Sequence, residues 1–402
     1  MLSKKLINKN FQILAKSSHD FIDDKGTEYI KRSKSTNLHD AFAFKMFYTK
    51  KEMTQLMVTN ELNKFKNTLT KRSCYVDRAS LIDEPLLISY YSFINNKIDE
   101  LFYDKKHIQY QICAIDGTKC NAYTSTQNQT FKPTKRGDIF TFLNIGFFNV
   151  SHNDPCLLRS VEHKNERKAF FDNISTNTTP TIYVTDRGFM DYRMFSKIEE
   201  SNNFFVCRIR DNSIIINKSK NEQIFTNYNN VKYLRLINYK INDNYYHIIT
   251  NIPPNMYSYD EIKNIYHKRW NIEEYFKFIK TNMKMDNFRE RDWESIKTSV
   301  YANFLISKLV YLMFNLYRVR IKNKNKNKTI NKNMLTHELY DDFLLKFIYN
   351  VKFSERFLIR FFNYAIDIIT THLDISNERK SMFPYAKFYI KGYCKKSIIE
   401  ET

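Results

Sequence analysis

Three carboxylates stand where the sequence leaves room for chemistry. Asp116 lies at the end of QICAIDGTK, a partly alternating run rich in β formers. Asp186 lies at the end of TIYVTDRGF, a short apolar run that enters a turn, and Glu273 lies within YHKRWNIEEYFKFIK, Tyr266 to Lys280. Strand ends in α/β sheets open onto a crevice where ligands bind. Two aspartates at strand ends and a glutamate on a facing helix form an all-oxygen donor set, which suits Mg2+ or Mn2+. Two such ions clamp the attacking and leaving oxygens of a phosphodiester. Each acid also has a plainer reading. Asp116-Gly117 is a hairpin signal, Asp186-Arg187-Gly188 fits a turn or cap, and Glu273 fits half of a surface ion pair.

The segment around Glu273 packs four cations, two adjacent acids and five aromatic residues into fifteen positions. Helical residues advance by about 100° each. With Tyr266 at zero, Arg269 falls near about −60°, Glu273 near about −20°, Lys277 near about +20° and Lys280 near about −40°. Glu274 falls near about +80°, off that stripe. One face thus carries a phenol, a guanidinium, a carboxylate and two ammoniums. That suits a metal ligand flanked by phosphate contacts. It equally suits a solvated face laced with pairs such as Arg269–Glu273 at i,i+4.

The elements that must position these residues follow from periodicity. Residues up to about Phe102 carry apolar side chains at helical spacing. QICAIDGTK and IFTFLNIGFFNV read as strands of one sheet. HKNERKAFFDNIS, TIYVTDRGF, MDYRMFSKIEES and FFVCRIR then alternate helix, strand, helix, strand, an α/β layer. NSIIINKS, VKYLRLINYKI and YYHIITNI read as strands of an inserted β subdomain, closed by Pro253 and Pro254. Ser258 with Glu261 three residues on marks the start of a single long helix through Tyr266 and Glu273. Trp270 reads as core on that helix. IKNKNKNKTINKN is a basic low-complexity linker, with helical segments after it to about Leu373. The domain expectation is residues 1–105 helical, 106–320 an α/β core with a β insertion at about 211–252, 321–334 linker and 335–402 helical.

Net charge is +21 in 402 residues, which points to polyanions, nucleic acid before anionic membrane. Abundant Lys and Asn with only six Gly also fit drift in an AT-rich genome. Six scattered cysteines without a C-x-x-C pair support neither a zinc ribbon nor a redox motif. The basic N-terminus has no continuous apolar run, so no signal peptide is read and a reducing compartment is expected. YANFLISKLVYLMFNLY carries Lys308 and three other polar residues, which makes it a buried core helix rather than a membrane span.

Tyr266, Arg269, Glu273 and Lys280 spell Y-x2-R-x3-E-x6-K without a gap. This resembles the signature of DDE transposases of the insertion-sequence-four type. CAIDGTK and VTDRGF resemble that family's first and second aspartate motifs, and FFVCRIR the strand that follows. The resemblance runs from about Gln111 to Arg289. It implies an RNase H-like mixed sheet flanked by helices and interrupted by a β-rich insertion, with helical regions at both ends. It implies Asp116, Asp186 and Glu273 as a metal-binding catalytic triad for two Mg2+ or Mn2+ ions. Tyr266, Arg269 and Lys280 would hold phosphates. Lys277 joins them from the helix face, and Arg187 fits a phosphate contact or an ion pair with Asp186. The implied reaction is cut-and-paste transposition: cleavage at a transposon end, then joining of the freed 3′-hydroxyl to target DNA. Implied partners are double-stranded DNA with terminal inverted repeats, target DNA and further copies of the chain, with no membrane. The protein would reside with DNA: cytoplasm in a bacterium, nucleus or viral factory otherwise. A host-adopted, non-catalytic DNA-binding protein of the same fold and an RNase H-fold nuclease are the alternatives.

Overall fold

A computed structural model describes residues 4–30, 36–50, 52–103, 110–123, 139–161, 165–174, 180–216, 219–241, 244–288, 290, 292–324 and 332–351. The helical segments expected beyond residue 351 lie outside the described residues. Five helices come first: α1 (Lys4–Tyr29), α2 (Leu38–Tyr48), α3 (Gln55–Lys66), α4 (Arg72–Ala79) and α5 (Glu84–Phe102). The strands β1 (Gln111–Tyr123), β2 (Ile139–Asn149) and β3 (Asp154–Val161) follow, then α6 (Glu166–Asp172), β4 (Thr181–Thr185), α7 (Tyr192–Glu200) and β5 (Phe204–Arg208). Next come β6 (Glu222–Tyr228), β7 (Val231–Ile241), β8 (Asn244–Thr250), α8 (Tyr259–His267), α9 (Trp270–Thr281) and the short β9 (Asn287–Phe288). The last described elements are α10 (Trp293–Lys324), α11 (Lys332–Glu338) and α12 (Leu344–Ile348), the latter two joined by a π-helical turn. Asn37, Thr54, Asp83, Asn165, Asp191 and Ser258 each start a helix by accepting from a backbone N–H of its first turn. Those N–H groups have no partner within the helix, which is why short polar residues recur there.

All nine strands form one sheet in the order β3-β2-β1-β4-β5-β8-β7-β6, with β9 paired to β1. The first three strands are antiparallel, while β1, β4 and β5 run parallel. That 3-2-1-4-5 arrangement, with helices on both faces, is RNase H-like. Alternation assigns the faces. On β1, Ile112 and Ala114 pack into the core that also holds α8, α9 and α10, whereas Cys113 and Ile115 pack with α6 and α7. The N-terminal helices share the first of these cores.

Several expectations need correction. β8 pairs with β5, so β6–β8 extend the main sheet instead of forming a subdomain. NSIIINKS is a turn where described, and its place is taken by the more polar EQIFTNY strand. Strand β3 was not expected at all. The linker is shorter than read, since α10 runs to Lys324 and α11 begins at Lys332. Asp116 is interior to β1, neither at a strand end nor in a hairpin. The long helix through Glu273 is two helices, α8 and α9. The break is a tightening: Arg269, Asn271 and Ile272 N–H groups donate three residues back, at 3.0–3.1 Å.

Helix α10 is long and apolar enough by composition to cross a bilayer, yet 83% of its most apolar window is buried in the protein. Its buried Lys308 is ion-paired with buried Asp154 at the start of β3 and donates to the Pro155 carbonyl at 3.2 Å. The pair joins two buried charges and pins α10 to the sheet edge.

Candidate active site

Parity and register bring two of the three acids together. The parallel pairing of β1 with β4 ends at Ala114↔Val184. Two residues further on lie Asp116, still within β1, and Asp186, just past the end of β4. Adjacent strands lie about 4.8 Å apart, and the negative charge of Asp186 is felt at Asp116. Asp186 also begins the short 3-10 turn Arg187–Phe189, its Oδ1 accepting the Gly188 N–H at 2.8 Å.

Glu273 is delivered by α9, and a glycine sets how close α9 comes. Asp116 pairs with Gly146 across β1–β2. A Cβ at Gly146 would stand 2.7 Å from the Phe276 ring and 3.6 Å from Ile272 Cδ1, both on α9. The helix therefore lies directly on the strand pair that carries Asp116. Gly146→Ala should push α9 outward. The expected cost is about 1–3 kcal/mol in stability, with a loss of any activity that needs Glu273 near Asp116. Chemical denaturation and a cleavage assay on the same variant check both.

Arg269 links the two elements. Its Nη2 donates to Glu273 Oε1 at 2.5 Å, and its Nη1 lies 3.6 Å from Asp116 Oδ2. The i,i+4 ion pair read from the sequence therefore exists, but on a partly buried surface where a second carboxylate shares the cation. Glu274 is exposed and lies within electrostatic reach of Tyr311 on α10, away from Asp116. Tyr266 is 6% exposed, its phenol pushed up by burial and pulled back by Arg269 and Arg208. It backs the guanidinium and shows little surface of its own. Lys277 and Arg187 are exposed and Lys280 is half-buried. Trp270, expected in the core, is 57% exposed. The tightened turn at Lys268–Arg269 rotates it away from the sheet.

Sequence reasoning missed Glu166 at the start of α6. A Cβ at Gly117 would meet its carboxyl at 2.5–2.6 Å. Gly117 is one residue beyond Asp116 and faces the opposite side of the sheet, so its lack of a side chain admits Glu166. The glycine of DGTK was the available signal. Asp116 is consequently held among acids: burial, then the charges of Asp186 and Glu166, raise its carboxyl to about 6. The Gly117 N–H and Arg269 oppose that shift.

The donors fit a hard divalent cation in chemistry: all are carboxylate oxygens, with more negative charge than Arg269 neutralises. Asp116, Asp186 and Glu273 do not have their oxygens within 4.8 Å of one another. The Arg269 guanidinium lies between two of them.

The comparisons with known proteins decide the family. Residues 107–309 match the family described as "Transposase DDE domain", just over half of the chain. This chain belongs to the DDE transposase family. The matched span begins before β1 and ends within α10, so it contains all three acids and the Tyr266–Lys280 segment. Family members work with a divalent metal. The chain is also 28% identical over 155 residues to a Synechocystis sp. (strain ATCC 27184 / PCC 6803 / Kazusa) protein named "Putative transposase for insertion sequence element IS4SA". That match covers 35% of this chain and 45% of the relative, so it spans under half of the relative's length. Among solved structures, a chain of the piggyBac transposase synaptic complex with hairpin DNA is similar at a TM-score of 0.46 and 10% identity. It covers 98% of this chain and 91% of that one.

Proposed function

We propose that this protein is a DNA transposase that cuts at transposon ends and joins the freed end to target DNA. One observation carries the reading. Asp116 on β1 and Glu273 on the facing helix share the Arg269 guanidinium, and the charge of Asp186, just past the end of β4, is felt at Asp116, all within the segment that matches the family. Asp116, Asp186 and Glu273 would hold Mg2+ or Mn2+, two ions by the resemblance. Bound there, such ions lower the pKa of the attacking water and neutralise charge on the phosphate. Arg269 supplies a cation when the acids stand alone and a fork for a phosphate oxygen when DNA is bound. Tyr266 fixes the orientation of Arg269 from behind. Lys277, Lys280 and Arg187 present ammonium and guanidinium groups to the flanking backbone. Exposed Trp270, next to Arg269, offers a stacking surface for an unpaired base.

Water attacks the phosphorus at the element end and the 3′-oxygen leaves as a hydroxyl. That hydroxyl then attacks a target phosphodiester, whose own 3′-oxygen leaves. Terminal inverted repeats as substrate, residues 1–105 as their reader and assembly of two or more copies are supported by family likeness alone. The test is an incubation with DNA that carries the sequences flanking this gene, plus a plasmid target. A transposase gives end-specific cuts and covalently joined products. A nuclease gives cuts without joining, and a non-catalytic DNA-binding protein gives neither.

A further inference from the structure

A second set of ligating side chains lies in the helical layer, outside the segment that matches the family. His19 and Asp23 are four residues apart on α1, so they share one face. His39 comes from the first turn of α2. His19 Nδ1 lies 3.1 Å from Asp23 Oδ2, and His39 Nδ1 lies 3.7 Å from Asp23 Oδ1. The two imidazole rings are 4.2 Å apart at 34°. One ligand atom from each of the three residues fits within 4.8 Å, and no other group of His, Cys, Asp and Glu does so among the described residues.

We propose that His19, Asp23 and His39 form a binding site for a borderline divalent cation, Zn2+ in the first instance, which ties α1 to α2. In a tetrahedral zinc site with bonds of about 2.0–2.1 Å, neighbouring ligand atoms stand roughly 3.3 Å apart. His19 Nδ1 and His39 Nδ1 stand 3.1 and 3.7 Å from the two separate oxygens of Asp23, near that value. Two imidazoles and one carboxylate favour zinc over magnesium, which prefers oxygen alone. Asp23 is exposed, so a fourth position is open to water.

His39 has a side chain only 4% exposed, with its Nδ1 turned towards Asp23. Its position is fixed. Asn37 and Asp40 cap α2 reciprocally around it at 2.8 and 3.0 Å, Asp40 is held by Lys66 at 2.8 Å, and the ring stacks on Tyr349 at 6.1 Å. A pre-placed buried imidazole facing half-buried His19 and exposed Asp23 needs little reorganisation to close on an ion.

The test titrates metal-stripped full-length protein with Zn2+, with Mg2+ in excess to occupy the all-oxygen site. The wild type should bind one Zn2+ per chain at this site and gain thermal stability from it. His19→Gln and Asp23→Asn alter exposed or partly exposed positions and should fold normally. Each should weaken that binding by about 100-fold or more and lose the gain in Tm. Equal Zn2+ uptake and an equal Tm gain in both variants would overturn the proposal. So would a wild type that takes up no Zn2+.

Discussion

Glu273→Gln should reduce DNA cleavage by about 1,000-fold or more, while Glu274→Gln should stay within about threefold of the wild type. The first figure corresponds to about 4 kcal/mol of transition-state stabilisation. The residues are neighbours with similar chemistry, so the contrast isolates geometry. Glu273 accepts from Arg269, which also faces Asp116, whereas Glu274 is exposed on another face of α9. DNA affinity should change little in either variant, because the proposed phosphate contacts come from the cations around them. The measurement is single-turnover cleavage of an end-bearing duplex beside a binding isotherm. If both glutamines bind DNA and only Glu274→Gln fails to cut, the assignment on α9 is wrong.

The second large effect couples activity to stability. Asp116→Asn should abolish cleavage and make the metal-free protein more stable at neutral pH. Its carboxyl sits at about 6, pushed up first by burial and then by Asp186 and Glu166. Relative to an ordinary aspartate near 3.8, ionising it in the folded state costs about 3 kcal/mol. The sign follows from proton linkage. The folded protein holds the proton more tightly than the unfolded chain. Stability from this group is therefore complete below about pH 4 and lost as pH rises towards about 6. Asparagine cannot ionise and avoids that loss, although it also removes the partner of Arg269, which trims the gain to about 1–3 kcal/mol. Urea denaturation of both proteins at pH 4 and pH 7.5, with chelator present, measures it. The variant should gain at pH 7.5 and match the wild type at pH 4. A variant less stable at pH 7.5 would show that Asp116 is held mainly by its attraction to Arg269.

The sequence made the acids legible because their local signals agree. Alternating QICAIDGTK and apolar TIYVT can only be strands, and Ser258 with Glu261 does form a reciprocal cap, at 2.7 and 3.4 Å. What stayed hidden depends on contacts made elsewhere. EQIFTNY is an edge strand with mostly exposed or half-exposed side chains, so it lacks the apolar alternation that marks a strand. NSIIINKS has the β formers but, where described, no strand to pair with. Strand β3 opens on Asp-Pro, and its buried aspartate makes sense only once Lys308, more than a hundred residues on, is in place. No Pro or Gly announces the tightening at Lys268–Arg269, so Trp270 was placed in the core when it faces solvent. Glu166 reaches the site only because Gly117 leaves it space across the sheet.

The central claim is that Asp116, Asp186 and Glu273 together support divalent-metal-dependent cleavage that leaves a 3′-hydroxyl. The most direct measurement titrates Mn2+ into wild-type protein with an end-bearing duplex, follows cleavage, and asks whether a polymerase extends the cut strand. The expected result is cleavage that rises with Mn2+, stops on chelation, yields extendable ends and is absent in Asp116→Asn, Asp186→Asn and Glu273→Gln. Cleavage that survives chelation, ends that a polymerase does not extend, or full activity in any of the three variants would contradict it.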